Sequence, residues 1–184
     1  PDLRQGDENL LSDQDLKNLI AKYDLNEKPA KIFKLKELSK KLISKGEKVL
    51  IWSTHLKTID LITKELSKEG ININKITGKT KLKEREEIKD RFNDSSSNLD
   101  AIIAIPQACS ESISLHKACH HGIYYDMNYN TSEFLQSLDR IHRVGGSEKN
   151  PVFYYFLQYE NSIDVKIYER VFEKANRQMQ VIEE

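Results

Sequence analysis

The chain has 184 residues, of which 38% are hydrophobic and 32% charged, enough to bury roughly 70% of its unfolded surface in one domain and too apolar for a disordered polymer. No apolar run approaches the roughly 18 residues that span a bilayer, so no membrane partner is expected. Its 29 basic and 29 acidic residues cancel, so a nucleic-acid contact has to come from a local patch and not from overall charge. Two cysteines, Cys109 and Cys119, are too few for a disulfide framework and predict an intracellular compartment, whether cytoplasm, nucleoid or nucleus. Pro1 at the start, followed by Asp2, Arg4, Asp7 and Glu8, predicts a piece of a longer protein with no secretory signal there.

Ser12 ahead of Leu16, Leu19 and Ile20 reads as a capped short helix that Asn26 to Pro29 breaks. Residues 1–28 are therefore expected to be a helical lead-in, and 29–184 the domain proper. Ile32, Leu35, Leu38 and Leu42 have helical spacing up to Gly46, and Val49 to Trp52 follows as a short buried strand. Eight lysines fall between Lys28 and Lys48; they are either a polyanion patch or, as favoured for a mixed-charge helix, a solvated face. A second helix carries Leu56, Ile59, Ile62 and Leu66 and stops at Gly70. Ile73 to Ile76 is a weaker strand, and a charged helix runs on through Arg91 and Phe92. A polar loop spans 93–98.

Ala101 to Ile105 is almost wholly apolar, as a strand covered on both faces of a parallel sheet should be. Further strands are predicted at Ile123 to Tyr125 and Val152 to Leu157, with helices at about 132–144 and 162–182. Strands alternating with helices predict an α/β fold, a parallel sheet flanked by helices on both faces and wound by right-handed crossovers.

The helix predicted at 132–144 has the most informative surface. At about 100° per residue, with Gln136 at zero, Arg140 falls near +40° and Arg143 near −20°, while Phe134, Leu138 and Ile141 lie at roughly 140–200°. One face is apolar; the other displays an amide and two guanidiniums. Guanidinium is suited to bidentate phosphate recognition, and two on adjacent turns suit a γ-phosphate gathering charge during transfer. Surface ion pairs are the alternative for any such arginines.

Gln136-x-x-x-Arg140-x-x-Arg143-x-Gly145 resembles motif VI of superfamily-two helicases in the spacing of Swi/Snf-type DNA translocases. The resemblance extends in order over residues 28–170. Lys48 to His55 resembles motif IV, a strand with a phosphate-contacting turn. Ile76-Thr77-Gly78-Lys79-Thr80, then Arg85, then Arg91-Phe92-Asn93, is similar to the family's Gly-Ser-Thr…Arg…Phe-Asn segment. Ala108 to Leu115 stands where motif V (Ala-Gly-Gly-x-Gly-x-Asn-Leu) should be, and Ile123 to Asn130 resembles the strand and Trp-Asn-Pro region before motif VI.

The resemblance implies the second RecA-like lobe of an ATP-dependent motor. Arg143 would be the arginine finger reaching ATP and Mg2+ bound mainly by an N-terminal lobe of the same parent chain. Arg140 would be its phosphate-side companion, and Gln136 would orient the site. Ser110, Glu111 and Ser112 would couple nucleotide to DNA, and Thr54, His55, Thr77, Gly78 and Arg85 would lie toward the nucleic-acid backbone. Double-stranded DNA is the expected track, because His142-Arg143-Val144-Gly145 continues as Gly146-Ser147 and lacks the further arginines of DEAD-box RNA helicases. Motif V departs from the pattern: Cys109, Ser110 and Ser112 replace glycines and Ser114 replaces the Asn. An alternative follows, a catalytically degenerate lobe that serves as a nucleic-acid or protein scaffold.

Other signals point elsewhere. Gly78-Lys79-Thr80 resembles the end of a P-loop, but Ile73 occupies the position of its first Gly, so the fragment alone should not hydrolyse ATP. Cys109, His116, Cys119, His120 and His121 lack the usual zinc spacing, so no metal site is expected. Phe153 to Phe156 is read as core and cover rather than a base-stacking surface. Asn93-Asp94-Ser95 and Asn130-Thr131-Ser132 match the glycosylation pattern by chance. The last helix either packs on this lobe or reaches the missing one.

Overall fold

The structure is a computed structural model that describes residue 18 and residues 27–109, 113–142 and 151–182. The lead-in helix expected near Ser12 to Ile20 lies outside the described residues except for Asn18.

From Ala30 onward helices and strands alternate. α1 (Ala30–Ile43) leads to β1 (Lys48–Trp52), α2 (Leu56–Lys68) to β2 (Ile73–Ile76), and α3 (Leu82–Asn93) to β3 (Ala101–Ala104). A 3-10 turn (Pro106–Cys109) follows, then β4 (Cys119–Tyr124), α4 (Thr131–Leu138), β5 (Phe153–Phe156) and α5 (Ile163–Ile182). Gly46 at φ 83° and Gly70 at φ 78° close α1 and α2 in the left-handed region, where a side chain would be strained.

The five strands are all parallel in the order β2-β3-β1-β4-β5. Alternation along the strands divides the core. Val49 and Ile51 of β1, with Ala101 and Ile103 of β3, face Ile32 and Leu35 of α1 and Ile59, Ile62 and Leu66 of α2. Leu50, Trp52, Ile102 and Ala104 face the other way, onto Ile88 and Phe92 of α3, Phe134 of α4 and Val171 and Ala175 of α5. The expected parallel sheet with helices on both faces is therefore present. Among the described residues no helix is long and apolar enough to cross a membrane.

Two elements differ from the sequence expectation. β4 starts at Cys119, four residues ahead of the predicted strand, because its polar His120 and His121 are absorbed by the sheet. His121 stacks on Phe153 of β5 with centroids 5.3 Å apart, and its ring nitrogen meets the Tyr155 hydroxyl. Of the two alternatives left open for the last helix, packing on this lobe is present: Val171 and Ala175 are buried, and Phe172 meets Phe134 of α4.

The second difference concerns the arginines. α4 ends at Leu138, not near residue 144, and Arg140 sits in the following turn rather than on a continuous helical face. The chain turns there to bury Ile141, which is 1% exposed. Around the helix end, Leu138 O accepts from His142 N at 3.0 Å and also from Tyr154 Oη at 2.8 Å, and Arg140 Nε donates to Gln136 O at 3.0 Å. The apolar side of the helix is as expected, with Phe134 and Ile141 in the core.

Of the lysines between Lys28 and Lys48, most serve the fold. Lys31 and Lys48 turn inward, and Lys28, Lys36 and Lys40 pair with Glu65 and Glu69 on α2. This is the mixed, solvated face and not an uncompensated cationic patch.

Candidate nucleotide and nucleic-acid edge

Because all five strands run the same way, the segments that leave their carboxyl ends gather along one edge, where open α/β sheets collect ligands. The turn after β1 holds Ser53, Thr54 and His55; the turn after β2 holds Thr77 and Gly78. The 3-10 turn follows β3, and Asp126 to Asn130 follow β4.

Asp126 organises the first of these. Its carboxylate accepts hydrogen bonds from Ser53 Oγ (2.7 Å) and from the Thr54 backbone N–H and hydroxyl (2.6 Å each). Thr54 is thus fixed, half-buried, and the neighbouring His55 is left exposed at the edge, opening α2. Ionised acceptors make the stronger hydrogen bonds, so this carboxylate sets the shape of the β1 turn.

The β2 turn is closed by its own hydroxyls. Thr80 Oγ1 accepts from Thr77 N (3.0 Å), and Thr77 Oγ1 from Lys79 N (3.3 Å). Gly78 is exposed, its φ is not positive, and a Cβ would meet nothing within 4 Å. The fold therefore does not require glycine there; only close approach of a ligand backbone would.

Arg85, near the start of α3, binds three backbone carbonyls: Thr80 O through Nε (2.8 Å), Ala108 O through Nη1 (2.6 Å) and Thr77 O through Nη2 (3.2 Å). Its guanidinium staples the turns after β2 and β3 together. At the other end of α3, Asn93 Nδ2 donates to Ser114 O (3.0 Å). The arginine and asparagine of one helix thus hold both flanks of the segment that resembles motif V.

The turn after α4 holds the same segment from the opposite side. Arg140 Nη1 donates to Ile113 O (3.3 Å), and Leu115 N to Arg140 O (2.8 Å). Among the described residues the Arg140 Nη2 group has no further partner. Gln136 is exposed, one turn earlier on α4. The predicted pair Gln136 and Arg140 stands one turn apart and is joined by Arg140 Nε to the Gln136 carbonyl. Arg143, Ser110, Glu111 and Ser112 lie outside the described residues.

Cys109, which replaces the first motif V glycine, is 1% exposed and belongs to the core. Burial pushes its thiol up to about 12 despite the Arg140 and Arg85 guanidiniums nearby, so it is a neutral packing group. Cys119 is likewise buried, raised to about 12 by desolvation, and its Sγ donates to Lys48 O and His121 O. Among the described residues no three His, Cys, Asp or Glu side chains are placed to hold a metal.

Two residues at this edge escaped sequence reasoning. Ser53, fully buried, is one. The other is Glu133, whose carboxylate accepts from Gln107 Nε2 (2.6 Å), Asn128 Nδ2 (3.0 Å) and Asn130 Nδ2. A signal was available: Asn130-Thr131-Ser132-Glu133 is a variant of the capping box. Asn130 caps α4 by accepting from Glu133 N, which gives the apparent glycosylation match a structural meaning.

A five-stranded parallel sheet flanked by helices on both faces, with its Gly-Lys-Thr turn closed by its own hydroxyls, is the architecture of a RecA-like lobe. The chain belongs to the helicase conserved C-terminal domain family, whose model matches residues 30–145, and its relatives are of the Swi/Snf type. It is 33% identical over 149 residues to the ATP-dependent DNA helicase DDM1 of Arabidopsis thaliana, an alignment covering 80% of this chain and 19% of that protein. It is 30% identical over 154 residues to the ISWI chromatin-remodeling complex ATPase ISW2 of Saccharomyces cerevisiae, covering 84% of this chain and 14% of the relative. The chain thus spans less than a fifth of either protein. The C-terminal part of the Fun30 ATPase domain superimposes with a TM-score of 0.71 at 28% identity, covering 86% of this chain and 51% of that one. The helicase domain of Pyrococcus furiosus Hef, at 20% identity and a TM-score of 0.66, shares the fold.

Proposed function

We propose that this lobe closes over ATP and Mg2+ held mainly by an N-terminal RecA-like lobe of the same parent chain, and that the closure drives stepping along double-stranded DNA. Arg143 acts as the arginine finger, Arg140 as its phosphate-side companion, and Gln136 orients the site. Ser110, Glu111 and Ser112 link nucleotide to DNA. His55, Gly78 and the turns held by Thr54, Thr77 and Arg85 form the nucleic-acid track.

One observation carries this reading. The Arg140 guanidinium hydrogen-bonds Ile113 O, so the turn that carries the proposed phosphate-side arginine is tied directly to the segment that resembles motif V. The magnesium belongs with the other lobe: the described carboxylates at this edge, Asp126 and Glu133, are taken up by hydroxyls and amides of this chain. The lobe on its own contributes half of a site and is expected to be inactive toward ATP.

The test uses the full parent protein. Arg143→Ala should lower DNA-stimulated ATP hydrolysis by about 10³–10⁵-fold, the range set by arginine fingers elsewhere; near wild-type turnover removes the finger assignment. Parallel assays with double-stranded DNA, single-stranded DNA and RNA identify the track. A parent that binds DNA without hydrolysing ATP is a scaffold instead.

A further inference from the structure

The straps on the motif V segment are unequal. On its α3 side the partners are backbone carbonyls reached by Arg85 and Asn93, and these fix where the segment lies relative to the sheet. On its α4 side the exit is tied to Arg140, and the entry is tied through side chains, by Gln107 of the 3-10 turn to Glu133 of α4. Glu133 is not a bystander in that pair. The same carboxylate gathers Asn128 and Asn130 from the segment after β4, so two separate stretches of the carboxyl edge meet α4 on two oxygens. Glu133 also stands one turn before Gln136 on the helix whose end carries Arg140. Its neighbour Phe134 is buried against Tyr124 and Phe156, which fixes the direction in which Glu133 projects.

We infer that Glu133 is a positioning residue that locks the entry of the motif V segment to the arginine-bearing turn, so that the two move as one body when the lobe engages nucleic acid. Its consequence for turnover rests on the motor reading above; the positioning itself does not. The chemistry is specific to a carboxylate. All three partners present amide N–H groups, so the site needs acceptors only, and a carboxylate is an acceptor with no donor to misplace. A glutamine there turns one N–H toward another donor. A charge-assisted bond is also the kind that holds at a partly exposed edge, where a neutral pair competes poorly with water.

The experiment compares four forms of the full parent protein: wild type, Glu133→Gln, Gln107→Glu and the double exchange. The double exchange restores the 107–133 pair, with Gln at 133 donating to Glu at 107 and still accepting from Asn128, while Asn130, which shares Oε1 with Gln107, loses its acceptor. Backbone hydrogen exchange over residues 107–115 should be about fivefold faster or more in Glu133→Gln, and the ratio of DNA-stimulated to basal ATP hydrolysis should fall by a similar factor, the lower end of typical coupling between sites. The double exchange should return both toward wild type, while exchange in α1 and β1 stays constant in every form. Gln107→Ala, which removes one exposed side chain and leaves the α4 cap intact, should repeat the effect of Glu133→Gln, so general unfolding of α4 is not needed to see it. Unchanged exchange at 107–115 in both single-site losses overturns the positioning role, and so does a double exchange as impaired as Glu133→Gln. A wild-type parent without DNA-stimulated turnover overturns the motor reading, and the exchange measurement then still decides the role of Glu133.

Discussion

Tyr154 lies against Gly122: a Cβ on Gly122 would stand 3.0 Å from Tyr154 Cδ1 and 3.1 Å from Ile141 Cδ1. That close approach lets the phenol cross the β4–β5 pair and donate its hydroxyl to Leu138 O at the end of α4. The missing side chain at 122 and the position of the Arg140 turn are therefore linked through one ring. Gly122→Ala should force the ring and Ile141 apart and destabilise the chain by roughly 1–3 kcal/mol, as overpacking of a filled core does. Tyr154→Phe keeps the packing and loses only the hydroxyl, so it should cost about 0.5–1.5 kcal/mol. Urea denaturation of the two variants checks the order; a Gly122→Ala variant as stable as wild type contradicts the close approach.

Asp126 and its three donors make a second prediction. Asp126→Ala leaves the buried Ser53 hydroxyl and the Thr54 N–H without their acceptor, which should cost roughly 1–3 kcal/mol. Asp126→Asn should cost less, because its carbonyl still accepts from Thr54 while its amide can donate to Ser53 Oγ. Denaturation midpoints of the two variants separate these outcomes, and equal losses would mean that the hydroxyl partners contribute nothing.

Much of this architecture was legible from periodicity. The alternation in Val49 to Trp52 and Ala101 to Ala104 assigns residues to two faces, and both faces are covered as expected. Gly46 and Gly70 marked helix ends that the positive φ values explain. What periodicity missed has one physical cause: it reads side-chain direction within an element and not hydrogen bonds between elements. A helical wheel continued through residue 144 because nothing local to Asp139 or Arg140 announces the turn in which Ile141 enters the core and Tyr154, from another strand, adds a bond to Leu138 O. β4 was shortened because His120 and His121 look polar in sequence, although His121 is sandwiched by aromatic rings of the next strand. Arg85 was legible as an arginine of the family pattern, but its three carbonyl partners come from turns up to 23 residues away.

Lys31 supplies a third test. It is 7% exposed, and its ammonium pairs with Asp164 at 2.7 Å and Tyr125 O at 3.1 Å, over the rings of Tyr125 and Tyr159. This single cation joins the first turn of α1 to the first turn of α5. Lys31→Met leaves Tyr125 O without this donor and Asp164, which is partly exposed and keeps the Tyr159 N–H, without its cation, so it should destabilise by about 1–3 kcal/mol. Lys31→Met combined with Asp164→Asn should recover part of that loss, because the stranded carboxylate is gone. A thermodynamic cycle on the two sites measures the coupling, and strictly additive losses would show that the ion pair is not what holds the two helices.

Acid should act first on the lysine–glutamate face of α1 and α2. Hydrogen bonds from Lys28 and Lys68 hold Glu65 at about 2, and those from Lys36 and Lys40 hold Glu69 at about 2, both below the ordinary 4.5. Between those values the unfolded chain binds more protons than the folded one, so stability rises with pH across the window. The contribution is complete above about pH 4.5 and disappears as pH falls toward about 2. Thermal melting from pH 5.5 downward should therefore show wild type losing Tm more steeply than Glu65→Gln/Glu69→Gln, with the difference shrinking in high salt because the outer lysines are exposed to screening. Parallel Tm curves for the two proteins would mean that these carboxylates titrate as they do in the unfolded chain, and that the lysines beside them only decorate the surface.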